Sequence, residues 1–283
     1  MEFIFGNISL SLFTAFLVAF IGIYQVGSTP LITGNNNSWK IVGGGDAIPH
    51  ELPWQVSLRQ NLNTLHLCGG VILDTYTVLT TARCAELLDT FYSSVAAGKH
   101  NLSATEASQQ ILIISSIHVH PQFPGSTDYS NDIAVIKVSQ PFQWTEFVTP
   151  IESLHDEYPI STEIATISGW GTKREEEIAL QENLQKATVK IMDNLDCQQI
   201  VGHEIIVEES MVCIAAFNSD EPVDSCTGDQ GGPLIVEENG LAVLVGLISF
   251  GTGCGRPNVP SFCTRVFNYL DFIHSYMETQ PAK

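Results

Sequence analysis

Short apolar runs separated by turn-forming residues recur along most of the chain, and this pattern restricts the possible fold more than any other feature. Many of the runs alternate apolar with polar residues, as half-buried strands do. Pro and Gly residues stand between the runs, as in the turn signal Asn239-Gly240. Six of the runs read TVLTTA, QQILIISSIHV, IAVIKV, EIATISGWG, KATVKIM and LAVLVGLISF. Strands of this length and regularity favour an all-β barrel or sandwich.

The N-terminus differs in composition from the rest of the chain. Residues 8–26 read ISLSLFTAFLVAFIGIYQV, and an apolar run at the start of a chain is typical of a secretory signal peptide. Small residues at 26–28 fit a cleavage site, which predicts a signal peptide over residues 1–28. Glu2 precedes the run without a Lys or Arg, and the run is nearly long enough to span a bilayer, so an uncleaved anchor is the alternative. The polar residues 29–40 predict a linker or pro-segment.

The charge balance excludes one class of partner. Lys plus Arg number 12 against 31 Asp plus Glu, which gives a formal net charge of -19. Because nucleic acids bind clustered cations, we expect no nucleic-acid partner. The same charge suits a soluble protein and attracts cationic ligands. The sequence contains no CxxC and no HExxH motif, so we predict neither a metal site nor another cofactor.

Seven cysteines indicate an oxidising compartment, because structural disulfides persist outside the cell and are rare inside it. Their odd number leaves one cysteine unpaired or bridged to another chain. Sequons for N-glycosylation begin at Asn36 and Asn101, although so short a pattern also occurs by chance. These features predict a secreted, extracellular protein.

An ordered set of short motifs begins at Ile41, where the composition changes abruptly. In chain order they read IVGG from residue 41, LCGG from 67, LTTARC from 79, NDIA from 131, GWG from 169, DSCTGDQGGP from 224, SFG from 249 and GC from 253. Each motif is weak alone, but together, from Ile41 to about Met277, they resemble the trypsin/chymotrypsin-type serine protease domain. The resemblance implies two antiparallel β-barrels, an active-site cleft between them and a C-terminal helix.

The resemblance also divides the chain. It implies a trypsin-like domain over residues 41–283, with a first barrel over about 55–148 and a second over about 149–268. Apolar residues at helical spacing predict the C-terminal helix over about 269–278.

We expect the one unpaired cysteine to be a buried small hydrophobe, with an intermolecular bridge as the alternative. The disulfides implied by the family are Cys68–Cys84, Cys197–Cys213 and Cys226–Cys254, which leave Cys263 free.

The family's catalytic chemistry needs three residues, and by resemblance this sequence keeps one of them. A serine attacks the carbonyl, a histidine takes its proton and an aspartate orients the histidine. The aspartate position holds Asp132, whereas the histidine position holds Arg83 and the serine position holds Gln230. A guanidinium stays protonated and is no base, and a carboxamide is no nucleophile, so we expect no covalent catalysis. We expect Arg83 to pair with Asp132 instead, and His66 to make a structural hydrogen bond.

The loop around Gln230 keeps other parts of the family's machinery. By resemblance, the backbone N–H groups of Gly228 and Gln230 form an oxyanion hole. In the family, the residue at Asp229 pairs with the ammonium group that cleavage releases, here that of Ile41 after cleavage at Lys40. We therefore expect cleavage to order this loop. The alternative is a loop inherited without use.

By resemblance, a specificity pocket lies among Asp224, Ser249, Gly251 and Ser261. Asp224 stands where trypsin-like members hold the carboxylate that binds Lys or Arg side chains. Gly251 leaves the pocket open, but Ser261 stands where a wall glycine is usual and can obstruct it. The alternative for Asp224 is a solvated turn carboxylate.

Three functions stay open on the sequence. The first is a secreted, non-proteolytic protease homologue that binds or regulates an extracellular protein, such as a protease or inhibitor presenting Lys or Arg, with no membrane contact after signal cleavage. The second is an active endopeptidase of trypsin-like specificity, to which Arg83 and Gln230 are the obstacle. The third is an extracellular recognition module for carbohydrate or microbial surfaces, which rests on family analogy alone.

Overall fold

Fourteen short strands make up most of the regular secondary structure in the computed structural model, which describes residues 44–60, 65–125, 129–156, 160, 163–216, 223–256 and 258–277. The strands are β1 (Gly45–Asp46), β2 (Gln55–Gln60), β3 (Leu65–Asp74), β4 (Thr77–Thr80), β5 (Ser94–Ala97), β6 (Gln110–Val119), β7 (Ala134–Val138), β8 (Ser153–Leu154), β9 (Ile164–Gly169), β10 (Gln185–Met192), β11 (Met211–Ala216), β12 (Pro233–Glu238), β13 (Leu241–Gly251) and β14 (Ser261–Arg265). The six apolar runs singled out in the sequence all contribute strands, which confirms the all-β prediction.

The strands form two closed antiparallel barrels of six strands each. The first barrel closes in the order β2-β3-β4-β7-β6-β5, with β5 paired back to β2. The second follows β9-β10-β11-β14-β13-β12 and closes where β12 pairs with β9. The short strands β1 and β8 add to the second barrel outside this ring. Closure leaves few free strand edges, which are otherwise liable to aggregate.

Side-chain alternation explains why these runs become barrel strands. In β6, Leu112 and Ile114 are buried in the first barrel, whereas Ile111 and Ile113 on the opposite face are partly exposed. Strand β13 is buried on both faces because it lies between two apolar clusters. Its Val243 packs inside the second barrel, and its neighbour Leu244 packs between the barrels.

The cluster between the barrels also receives the end of the chain. A 3-10 turn (Val266–Tyr269) leads into helix α3 (Leu270–Tyr276), and Tyr269 and Ile273 pack on this cluster. This confirms the predicted C-terminal helix. Two further helices are α1 (Ala82–Glu86) and α2 (Asn194–Val201).

The predictions for the N-terminus lie outside the described residues. They are the signal peptide over 1–28, the pro-segment over 29–40, the sequon at Asn36 and the cleavage site between Lys40 and Ile41.

Candidate active-site cleft

Arg83 lies in the first turn of α1, directly after strand β4 of the first barrel. Thr81 caps this short helix by accepting a hydrogen bond from the Cys84 N–H, and a disulfide joins Cys84 to Cys68 on β3. These contacts hold the backbone of Arg83 at the edge of the cleft. Its side chain is 24% exposed and reaches toward the second barrel.

Asp132 is the fully buried partner of Arg83, with none of its surface exposed. Its Oδ2 accepts from the Arg83 Nε at 3.2 Å, and its Oδ1 accepts from the Arg83 backbone N–H at 2.9 Å. The Ser249 hydroxyl also donates to Oδ2, at 2.6 Å. The expected ion pair is therefore present, with one guanidinium nitrogen rather than two on the carboxylate. Three donors satisfy a charge that would be costly to bury alone.

A second nitrogen of the guanidinium contacts the opposite side of the cleft. The Arg83 NH2 group donates a short hydrogen bond to the backbone carbonyl of Ser249 on β13. One side chain therefore bonds to Asp132, which precedes β7 of the first barrel, and to a strand of the second barrel. The bridge uses two N–H donors of the guanidinium, whereas a neutral imidazole has one N–H and could not donate both bonds.

An aromatic stack lies beside the guanidinium, and the sequence analysis missed it. The Arg83 Cζ lies 4.7 Å from the ring centroid of Tyr129, within the range of a cation–π contact. Tyr129 stacks on Phe250 with ring centroids 3.7 Å apart, and Phe250 stacks on Phe262 at 4.6 Å. The only signal in the sequence was a tyrosine three residues before Asp132. We infer that the stack restrains the arginine, because the guanidinium contacts it face-on.

Gln230 folds back on its own loop. Its Oε1 accepts from the backbone N–H of Gly228 at 2.9 Å, and its Nε2 donates to the carbonyl of Cys226 at 3.3 Å. The Gly228 N–H, expected to serve an oxyanion hole, is therefore occupied by the chain's own amide. The loop sits tightly against β3, since the Gly69 N–H donates to the Gln230 carbonyl at 2.7 Å. Gly231 has φ +77°, and a Cβ there would lie 2.4 Å from the Gly69 carbonyl, so only glycine fits.

His66 supports this loop from behind. Its Nε2 donates to the Gly228 carbonyl at 2.9 Å, which leaves Nδ1 of a neutral ring to accept from the Ser57 hydroxyl at 2.7 Å. The Ser57 oxygen in turn accepts from the Arg59 Nε at 2.9 Å. Burial lowers the pKa of His66 from 6.5 to about 4, assisted by the charge of Arg59. The structural hydrogen bond predicted for His66 is confirmed.

Asp229 is fully buried beside the glycines of the neighbouring loop. Its Oδ1 accepts from the Gly171 N–H at 2.7 Å, and its Oδ2 accepts from the Cys226 N–H at 2.9 Å. Burial raises the pKa of Asp229 from 3.8 to about 7, despite these bonds, and the charge of Asp224 adds to the shift. The predicted partner, the Ile41 ammonium group, lies outside the described residues.

Asp224, at the base of the expected specificity pocket, is buried, and its carboxylate accepts three hydrogen bonds. It accepts from the Ser225 N–H at 2.8 Å, from the Gly255 N–H at 2.9 Å and from the Ser261 side chain. Burial still raises the pKa of Asp224 above its usual value. A Cβ at Gly251 would lie 2.6 Å from the Ser261 hydroxyl oxygen, so this hydroxyl lies between the glycine and the carboxylate. The Ser261 hydroxyl therefore contacts the carboxylate that was expected to bind a cationic side chain, and obstruction of the pocket stays a prediction.

The disulfides form the three predicted pairs, Cys68–Cys84, Cys197–Cys213 and Cys226–Cys254. Cys263 on β14 is free and buried, and burial raises the pKa of its thiol. The thiol is therefore placed for packing and not for reaction. At the described sequon, the Asn101 Nδ2 donates to Asn183 at 2.9 Å. Glycosylation there stays a prediction.

Comparison with known proteins places the chain in a family. The sequence profile of the family described as Trypsin matches residues 41–273. "Transmembrane protease serine 9" of Rattus norvegicus is 37% identical over 239 residues, which cover 83% of this chain and 22% of that protein. The solved structure of neuropsin, a serine protease expressed in the limbic system of mouse brain, superimposes with a TM-score of 0.71 at 31% identity, covering 83% of this chain and 99% of neuropsin. The chain belongs to the trypsin family of serine proteases and their homologues.

The rat relative is much longer than this chain, which spans 22% of its length. In the part of the chain that the structure describes, no helix is both long enough and apolar enough to cross a membrane. The apolar run over residues 8–26 lies outside that part.

Proposed function

We propose that this chain is a non-proteolytic member of the trypsin family that acts by binding other extracellular proteins. The observation that carries the proposal is the bridge of Arg83 across the cleft, from Asp132 to the Ser249 carbonyl. A general base must lose a proton near neutral pH, and a guanidinium does not.

Gln230 supports the same proposal independently. A carboxamide does not form an acyl-enzyme, and its oxygen holds the Gly228 N–H that would stabilise an oxyanion. The endopeptidase alternative would need a substitute base close to this loop. His66 does not meet that need, because it is buried and its two ring nitrogens bond to Ser57 and Gly228.

An extracellular location is part of the proposal. Three disulfides support it, because such bonds persist in oxidising compartments. The predicted signal peptide and the sequons at Asn36 and Asn101 point the same way.

A fluorophosphonate probe tests the absence of covalent catalysis. We expect no adduct on residue 230, or anywhere in the loop 224–233, when the protein cleaved after Lys40 is incubated with the probe and digested for mass spectrometry. Trypsin labelled under the same conditions is the positive control. An adduct in this loop would contradict the proposal and support the alternative that the chain is an active endopeptidase.

The contact of Ser261 with Asp224 leads to a prediction on cationic ligands. Benzamidine should bind the parent chain at least tenfold more weakly than the Ser261→Gly variant, because the hydroxyl stands before the Asp224 carboxylate. Calorimetry on the cleaved protein and on the uncleavable Lys40→Gln variant measures the affinities. Adding Asp224→Asn to Ser261→Gly should abolish the gain. If benzamidine instead bound the cleaved parent tightly and the Lys40→Gln variant weakly, the result would support a partner whose Lys or Arg side chain binds this chain after cleavage.

A further inference from the structure

The surface of residues 193–209, called here the α2 surface, consists of helix α2 and the loop that follows it. Three of its large apolar side chains face solvent: Leu195 is 76% exposed, Ile200 is 49% exposed and Ile206 is 78% exposed. Single exposed apolar residues are ordinary, whereas three within twelve positions of one helix and the loop after it concentrate apolar surface in one segment. Concentrated apolar surface is typical of a protein contact.

The loop after α2, which presents Ile206, is held in shape by the side chain of Gln198 on the helix. The Gln198 Nε2 donates to the carbonyls of Gly202 at 2.5 Å and Ile205 at 2.9 Å, and its Oε1 accepts from the Val207 N–H at 2.8 Å. The Cys197–Cys213 disulfide fixes α2 to strand β11. A surface ordered before binding loses little conformational freedom when a partner arrives.

The end of α2 and the loop after it line an open concavity of about 500 Å³, which is large enough for one or two side chains of a partner. Gln198 and Ile206 both line this concavity. The residue whose hydrogen bonds hold the loop therefore lies at the same site as Ile206, the most exposed of the three apolar side chains. Its lining residues are Gln198, Gln199, Gly202, His203, Ile205 and Ile206.

The charged side chains within residues 193–209 are acidic, with His203 as the one titratable base, and the Arg265 guanidinium that bonds to the Glu209 carbonyl is buried. No Lys or Arg occurs between residues 193 and 209. All the carboxylates of the segment belong to exposed residues, and they are Asp193, Asp196, Glu204, Glu208 and Glu209. Exposed carboxylates beside exposed apolar side chains attract a positively charged partner and repel an acidic one, such as a second copy of this chain with its net charge of -19.

We propose that the α2 surface docks a cationic amphipathic segment of another protein. An apolar side chain of that segment enters the concavity beside Ile206, and its Lys or Arg side chains pair with the exposed carboxylates of the α2 surface. The proposal goes beyond the function of the cleft and does not depend on it. Reaction of the cleft with a fluorophosphonate would overturn the proposed lack of proteolysis and leave the docking surface untouched.

The inner face of the α2 surface adjoins the cleft. Val201, Ile205 and Val207 pack on an apolar cluster that contains Phe250, the ring on which Tyr129 stacks. A partner on the α2 surface would therefore sit behind the aromatic stack that contacts Arg83.

A synthetic helical peptide with Leu on one face and Lys on the other serves as the probe. We expect the full chain to bind it, and Ile206→Ser to weaken binding about tenfold, through lost apolar contact. Asp196→Asn combined with Glu204→Gln should weaken binding and flatten its dependence on salt. Fluorescence anisotropy of the labelled peptide measures each affinity.

The exposed loop of residues 175–178 offers a matched control. It carries three glutamates followed by Ile178, which is 96% exposed. Ile178→Ser with Glu176→Gln should leave the peptide affinity unchanged. Equal affinity of the parent and the Ile206→Ser variant would overturn the proposal, as would equal binding of a peptide with Ser in place of Leu or Glu in place of Lys.

Discussion

Changing Arg83 to His and Gln230 to Ser together should convert the chain into a measurable esterase, with a rate at least ~10³-fold above that of the parent. The histidine would lie beside Asp132, which already receives hydrogen bonds from a backbone N–H and from Ser249. The serine would release the Gly228 N–H that the Gln230 amide holds. Base, nucleophile and oxyanion donor would then be present together.

Each single change should stay near the level of the parent, because base and nucleophile work as a unit. Arg83→His alone leaves the amide on Gly228, and Gln230→Ser alone leaves a guanidinium across the cleft. Hydrolysis of p-nitrophenyl acetate, which needs no side-chain pocket, by protein cleaved after Lys40 measures the rates, and Arg83→His with Gln230→Ala is the matched control. Turnover by the parent or by a single variant at the rate of the double variant would contradict the proposed function.

His66 and Asp229 should make opposite contributions to the pH dependence of stability in the uncleaved chain. The pKa of His66 falls from 6.5 to about 4 on folding, so the unfolded chain holds a proton in this window that the folded chain lacks. Its contribution is complete above pH 6.5 and is lost as the pH falls toward 4, a total of about 3 kcal/mol.

Asp229 has the opposite sign. Its pKa rises from 3.8 to about 7 on folding, so the folded chain keeps a proton that the unfolded chain has lost. Its contribution is complete below pH 3.8 and is lost as the pH rises through 7, a total of about 4 kcal/mol. Between pH 4 and 6.5 the two slopes cancel, since each amounts to about 1.4 kcal/mol per pH unit.

Two variants separate these contributions. Relative to the parent, Asp229→Asn should gain about 1.4 kcal/mol of unfolding free energy per unit of rising pH in this window, and His66→Gln should lose as much. Urea unfolding of the Lys40→Gln chain with its disulfides intact gives the free energies. The double variant should follow a profile parallel to that of the parent. Single variants that also run parallel to the parent would show that neither pKa is shifted as stated.

The sequence by itself determined the architecture and the chemical types at the cleft. Runs with strand periodicity predicted an all-β fold, and helical spacing predicted the C-terminal helix, because periodicity is a local property of a chain. The ordered motifs, through the family resemblance that they carry, implied the two barrels and the three disulfide pairs. They also placed Arg83 beside Asp132 and put Gln230 at the centre of its loop. The incapacity of a guanidinium as a base follows from its chemistry alone.

Only the tertiary structure decided what these side chains do. The second contact of Arg83 is with Ser249, which lies 166 residues away on the other barrel, and no local pattern encodes that distance. Whether the Gln230 amide turns outward to a ligand or back to Gly228 depends on a side-chain rotamer, and so does the position of the Ser261 hydroxyl before Asp224. Such choices depend on which groups become neighbours after the barrels close, because a buried polar group takes the partner that packing brings within reach.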